Sequence, residues 1–196
     1  WVVTWQSPDA NGTGIYQQRF KADGTQEGVE PPVHSLTAGA QAKATVTGLK
    51  DGGWVVAWQS PDTNGTGIYQ QRYDKDGNAL GSGETQVNTT STGDQKNASI
   101  TALTDGGWVV AWQSANDIYL RHYNSSGTAV GNEVLVNDIT ASDQEFPSVT
   151  ALPGGGWVVT WQSFKMGVPG EFQNIAQKIY FGVNDAPTGT NATLTA

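Results

Sequence analysis

Two loops carry the residues best suited to chemistry. Ser7-Pro8-Asp9-Ala10-Asn11-Gly12-Thr13-Gly14 and Ser60-Pro61-Asp62-Thr63-Asn64-Gly65-Thr66-Gly67 set oxygen-bearing side chains at alternate positions: Asp9, Asn11 and Thr13 in one, Asp62, Asn64 and Thr66 in the other. A hard cation such as calcium takes six or more oxygens at about 2.3 to 2.6 Å and needs a loop that folds around it, so these are candidate calcium ligands. Each loop offers a single carboxylate. The competing reading is an Asx turn, in which Asp9 and Asp62 accept hydrogen bonds from backbone N–H groups. Asp74 and Asp76 form a denser acidic pair and are candidate ligands too. The matching residues are Lys21 and Asp23 earlier in the chain and Asn124 and Ser126 later, which is the behaviour of a turn with loose sequence demands.

Catalytic patterns are sparse. Glu30, Glu84 and Glu133 recur in similar surroundings, whereas a glycosidase needs two carboxyls at one particular site. Glu171 is the exception, lying in a longer loop from 163 to 174. His34 takes the place held by Asn88 and Asn137, and His122 that of Arg19 and Arg72, so each replaces a recurring residue rather than adding a general base. With no Cys there are no disulfides, thiolate zinc sites or cysteine nucleophiles. The eight Trp read either as core or, for one or two of them, as platforms for sugar rings; all sit at recurring positions, which favours core.

The element that must position these residues is a repeat. Trp1-Val2-Val3-Thr4-Trp5-Gln6-Ser7 returns at Trp54, Trp108 and Trp157, with spacings of 53, 54 and 49 residues. Each copy is followed by an Ile-Tyr segment (15–20, 68–73, 118–123, 175–180) and preceded, after the first, by a short segment (44–49, 98–103, 147–152). A Glu-x-x-Val segment (30–34, 84–88, 133–137) completes the first three repeats. The segments are rich in Val, Ile, Thr, Tyr and Trp and bounded by Gly, Asn, Asp or Pro, which are strand signals. In a strand Trp54, Val56 and Trp58 share one face and Val55 and Ala57 the other, so both faces are apolar and both must be covered.

A period near 50 residues, with four strands per repeat, predicts an all-β, β-propeller-like domain of four antiparallel blades over 1–183. Residues 184–196 have two readings. Thr190 to Ala196 resembles Lys96 to Ala102 and would supply the closing strand of the first blade; alternatively Val183 to Pro187 begins a linker to a further domain. In repeat folds variable loops gather on one face, so the loops at 7–14, 60–67, 114–117 and 163–174 are the candidate ligand face, with Asn116, Asp117, Lys165 and Glu171 as candidate binding residues.

Composition sets further limits. The 196 residues carry 18 Asp plus Glu against 10 Lys plus Arg, a net charge of −8, which argues against nucleic acid because phosphate binding needs clustered cations. No apolar run reaches the roughly 20 residues that span a bilayer, so membrane insertion is not expected. No signal segment opens the chain, so an export signal was removed, lies elsewhere in a longer parent, or never existed.

The segments at 52–60, 65–77 and 86–95, reading GGWVVAWQS, GTGIYQQRYDKDG and QVNTTSTGDQ, resemble tandem repeats of very large secreted bacterial surface proteins, similar to RTX-type calcium-dependent adhesins and proteins carrying cadherin-like modules. Val183-Asn184-Asp185-Ala186-Pro187-Thr188 also resembles the joint that opens such modules. The resemblance implies a secreted or cell-surface bacterial protein in a calcium-rich setting, with adhesion as its role and no catalytic residues. The expectation is therefore a non-enzymatic binding or adhesion module that meets a glycan or cell-surface protein through its rim loops. The alternatives are a hydrolase or lyase acting on polysaccharide and a purely structural spacer. Open sheet edges would also invite self-association.

Overall fold

The computed structural model of the chain describes residues 1–35, 39–164 and 174–181, together with the backbone of 192–194. The described residues form antiparallel strands and contain no helix. The first sheet holds β1 (Val2–Asp9), β2 (Gly12–Phe20) and β3 (Gln26–Glu27); the second β4 (Ala42–Gly48), β5 (Trp54–Asp62), β6 (Gly65–Tyr73) and β7 (Ala79–Gln86). The third holds β8 (Gln95–Ala102), β9 (Trp108–Ser114), β10 (Asp117–Tyr123) and β11 (Val134–Leu135), and the fourth β12 (Gln144–Ala151), β13 (Trp157–Ser163), β14 (Asn174–Tyr180) and β15 (Ala192–Leu194). Within each sheet the strands lie side by side in chain order. The all-β expectation holds at this level. The C-terminal strand β15 pairs with β14, so it is the last strand of the fourth sheet.

The two-faced Trp strand explains how the sheets stack. Trp54, Val56 and Trp58 pack with Ile15 and Val33 of the first repeat, while Val55 and Ala57 pack with Trp108, Val110 and Trp112 of the third sheet. Val109 and Ala111 in turn face Trp157, Val159 and Trp161. Each Trp face thus looks back at the preceding sheet and each Val/Ala face looks forward. The first sheet has nothing behind its Trp face among the described residues, and there Trp1 and Val3 are 64% and 40% exposed.

Polar bonds fix the spacing between sheets. Trp54 Nε1 donates to Gln17 Oε1 at 2.8 Å and Trp108 Nε1 to Gln70 Oε1 at 2.9 Å. The guanidinium groups of Arg19 and Arg72 lie over the same two indoles, 5.7 and 5.8 Å from the ring centres. The third seam differs: Leu120 replaces the glutamine, His122 replaces the arginine, and Trp157 Nε1 has no protein acceptor among the described residues. Burial pushes the His122 pKa down, with the Asp105 charge opposing. The leading strands touch as well, through Ala102 N–H to Thr47 Oγ1, Val149 N–H to Ser99 Oγ and Ala151 N–H to Thr101 Oγ1.

The outer strands depart most from the sequence expectation. Only β7 is long; β3 and β11 are two-residue strands. In the first repeat Pro31 and Pro32 lack the N–H groups that a ladder needs, and a single bridge from Tyr16 to Pro32 remains.

Each Trp that begins a central strand stacks on the Tyr that ends the next strand, with centroids 5.3, 5.3 and 5.2 Å apart for Trp54–Tyr73, Trp108–Tyr123 and Trp157–Tyr180. Burial pushes the Tyr73 and Tyr123 phenols up to about 12, and that of Tyr180 in the same direction. An unfolded tyrosine ionises near 10, so the folded form holds these protons more tightly; the resulting stability is complete below pH 10 and is lost as pH rises through 12. Phenolate absorbance should show a late-titrating class of tyrosines, with the urea midpoint falling across that window. Titration of all six tyrosines near 10 would show that these rings are not packed as described.

Candidate functional site

Because all four sheets run in the same order, their strand ends define two rims. One carries the β1–β2, β5–β6, β9–β10 and β13–β14 hairpins together with the starts of the leading strands β4, β8 and β12. The opposite rim carries the glycine turns before each Trp and the turns after β2, β6 and β10.

On the hairpin rim Asp9 Oδ1 accepts the Asn11 N–H and Asp62 Oδ1 accepts the Asn64 N–H, both at 2.8 Å. The second oxygens turn inward: Asp9 Oδ2 lies 3.5 Å from His34 Nε2, and Asp62 Oδ2 accepts from Gln86 Nε2 at 3.3 Å. A side chain at Gly14 would collide with the His34 ring, and one at Gly67 would lie 3.0 Å from Asp62 Oδ2, so the glycines make room for the folded-back carboxylates. Thr13 Oγ1 donates to Gln41 O at 2.9 Å, and Thr66 pairs across its hairpin with Pro61.

Asp74 and Asp76 sit on the other rim. Asp74 accepts the N–H groups of Asp76 and Asn78 and the Asn78 amide, bonds that hold its carboxyl below the usual carboxylate range, while Asp76 pairs with Lys75. The eight candidate calcium ligands are therefore distributed over separate turns, and no group of three or more metal-binding side chains occurs among the described residues. Lys165 and Glu171 lie outside the described residues.

The recurring Asn and Glu hold turns and seams. Ile68 N–H donates to Asn88 Oδ1 at 2.8 Å and Ile118 N–H to Asn137 Oδ1 at 2.7 Å; His34 Nδ1 stands in as acceptor for Ile15 N–H at 3.2 Å. Glu84 accepts from Ser35 N–H and Oγ, each at 3.2 Å, and Glu133 accepts from Thr89 N–H and the Thr90 hydroxyl. Burial raises the Glu133 pKa, but the hydrogen bonds from Thr90 and Thr89 outweigh it and the net shift is downward.

Two carboxylates on the hairpin rim break the repeat. Asp117 stands where Gly14 and Gly67 stand in the first two repeats, and Glu145 where Ala42 and Lys96 stand. Gln144 N–H donates to Asn116 O at 2.9 Å, which clamps the β9–β10 hairpin against the start of β12 and brings both carboxylates to the join of the third and fourth sheets. Asn137 Nδ2 donates to Asp117 Oδ1 at 2.6 Å and orients that group. Burial, then the charges of Asp117 and Glu133, raise the neighbouring Tyr119 phenol. Glu145 is half-buried and has no hydrogen-bond or ion-pair partner among the described residues.

Beside Glu145 lies a feature that sequence reasoning missed. Each leading strand shifts register by a bulge, between Ala42 and Thr45, Lys96 and Ser99, and Glu145 and Ser148. At each bulge a non-glycine residue takes a left-handed backbone: Lys43 at φ 53°, Asn97 at 57° and Phe146 at 51°. Such a conformation costs a side-chain-bearing residue about 1–2 kcal/mol. The only sequence signal is indirect, in that the recognisable strand pattern starts one residue later, at Ala44, Ala98 and Pro147.

An open cavity of about 400 Å³ lies at the opposite rim between the first two sheets, lined by Trp1, Phe20, Trp54, Arg19 and Glu27 among others. Its Arg19 and Glu27 pair with each other at 2.9 Å and its Trp54 N–H is taken by Gln17, so it has fewer free polar groups than the hairpin rim.

No protein-family model and no curated protein matches the sequence. Among solved structures, an endo-arabinase from Bacteroides thetaiotaomicron is similar over 100% of this chain and 77% of its own, with a TM-score of 0.56 and 14% identity. A protein of unknown function from Dyadobacter fermentans is matched over 99% and 79% of the two chains, with a TM-score of 0.43 and 12% identity. The likeness to the endo-arabinase shows that this sheet arrangement is one that an enzyme also has. This corrects two expectations: a non-enzymatic binding or adhesion module, and a chain that is not an enzyme. Both rested on the resemblance to secreted adhesins and on the sameness of the repeats. Folding exposes where the repeats differ, since Asp117 and Glu145 are 28 residues apart in sequence yet share one rim.

If Asn88 is the acceptor that closes its turn, Asn88→Ala should orphan the buried Ile68 N–H and cost about 1–3 kcal/mol. Asn88→His should retain most of the stability, as His34 does in the first repeat. Equal urea midpoints for the alanine variant and the parent would remove Asn88 from that role.

Proposed function

We propose that the chain is a four-bladed propeller that hydrolyses a polysaccharide, with Glu145 and Asp117 as its carboxyl pair. The observation that carries this reading is the clamp between Asn116 and Gln144, which joins the two repeat-breaking carboxylates at one rim. The likeness to an endo-arabinase supports the class of substrate.

Glycoside hydrolysis needs one carboxyl to protonate the leaving oxygen and another to activate water or attack the sugar. The Glu145 carboxyl has no side-chain partner among the described residues, which leaves it open to meet the leaving oxygen as the acid. Asp117 is held by Asn137 through Oδ1, leaving Oδ2 for water or the anomeric carbon. The hairpins give a surface on which an extended glycan can lie, and a polymeric substrate places the chain outside the cell or at its surface.

The test is release of reducing ends from arabinan and a panel of other polysaccharides. The parent should release them, and Glu145→Gln and Asp117→Asn should each lower the rate by about 100-fold or more with melting temperature unchanged. No release from any polysaccharide, or full activity in both variants, would overturn the proposal.

A further inference from the structure

The three left-handed bulge residues gather a second set of groups on the hairpin rim. Lys43 Nζ donates to Asn97 Oδ1 at 2.6 Å, joining the second and third sheets. Asn97 is fixed in turn: its N–H donates to Gln59 Oε1 and its amide to Gln113 Oε1, both at 2.9 Å. Lys96 precedes it on β8, in the place that Glu145 takes on the adjacent β12, and Phe146 follows Glu145 with 53% of its surface exposed.

Two ammonium groups on this rim lack an anionic partner among the described residues, as do Lys21, Lys50 and Arg121 elsewhere, the last two donating to backbone carbonyls. In a chain of net charge −8, Arg19, Arg72, Lys75 and Lys178 all pair with carboxylates. Lys43 and Lys96 do not: the Lys43 ammonium meets only a neutral amide, and Lys96 has no hydrogen-bond or ion-pair partner among the described residues. Two other acidic residues lie near the starts of these strands. Asp94 turns to the β5–β6 hairpin, where its Oδ1 would sit 2.7 Å from a side chain at Gly65, and Asp143 precedes the buried Gln144. Neither forms an ion pair with the two lysines. An ammonium has three donors, so Lys43 keeps two for a ligand. The backbone strain at these positions aims the Lys43, Asn97 and Phe146 side chains away from the regular alternation of their strands.

We infer that this patch, formed by Lys43, Lys96, Asn97 and Phe146, binds a uronate residue of the glycan, so that the substrate is an acidic polysaccharide. The lysines take the uronate carboxylate, Asn97 orients Lys43, and the Phe146 ring stacks on the apolar face of the pyranose. A neutral glycan would leave both ammonium groups without an anionic partner. The inference rests on the polysaccharide reading above and names the sugar class that reading leaves open.

The test is calorimetric titration of the Glu145→Gln chain with oligogalacturonate and, separately, with a neutral arabino-oligosaccharide. Oligogalacturonate should bind more tightly, with affinity falling as salt is raised. Lys43→Gln with Lys96→Gln should weaken it about 10-fold or more and leave the neutral ligand unaffected. Phe146→Ala should weaken binding of the acidic ligand. Equal affinity for the two ligands, absence of oligogalacturonate binding, or no effect of the lysine changes would overturn the inference. The two proposals separate cleanly. Uronate binding without hydrolysis by the parent keeps this site and removes the hydrolase; hydrolysis with unchanged affinity in the lysine variants does the reverse. The double lysine variant should melt with the parent, since Lys43 is exposed, Lys96 is only half-buried and Asn97 is retained.

Discussion

The structure depends on one constraint: a central strand that is apolar on both faces must be covered on both faces. Val55 and Val56 in the second sheet, and Val109 and Val110 in the third, are fully buried on opposite sides of single strands. Burying each such side chain is worth about 1.5–3 kcal/mol, and neither can be buried without a neighbour in front and another behind. The indole N–H adds direction to this demand. At the first two seams it is placed against a glutamine of the preceding sheet, which sets how far one sheet is turned relative to the next. Once that relation is repeated, the hairpins must fall on a single rim.

Repetition and its exceptions serve different ends. The recurring Asn, Gln and Glu are tied into turns and seams, and His34 is such a part in altered form, accepting the same backbone N–H that asparagine accepts elsewhere. Groups with free capacity are found where the pattern fails. Asp117, Glu145, Lys96 and Phe146 all depart from the residues at equivalent positions, and all lie on the hairpin rim. The third seam departs too, with Leu120 and His122 in place of the glutamine and arginine, so the third and fourth sheets are joined differently from the others.

Much of the fold was legible because strand periodicity and a repeat near 50 residues are local properties. The two faces of Trp54 to Trp58 could be assigned from alternation alone, and the structure places them against different sheets. The outer strands were less legible, since Pro31 and Pro32 sit inside an otherwise strand-like segment. The site was mostly illegible. The Asp9 and Asp62 loops drew attention by their oxygen spacing, which equally describes a turn that closes on its own backbone. Glu145 drew none, because its importance comes from a bond between Gln144 and Asn116 across two sheets. The bulges escaped notice because no residue type marks them: Lys, Asn and Phe occupy a conformation in which glycine would be expected.

The most direct measurement is an amide NMR titration of the labelled chain with oligogalacturonate, which reports where a glycan sits without assuming any reaction. The account predicts shifts confined to the hairpin rim, at Lys43, Lys96, Asn97, Asp117, Glu145 and Phe146. Shifts centred on Phe20, Trp54 and Lys75 would place the ligand in the cavity between the first two sheets and contradict the account.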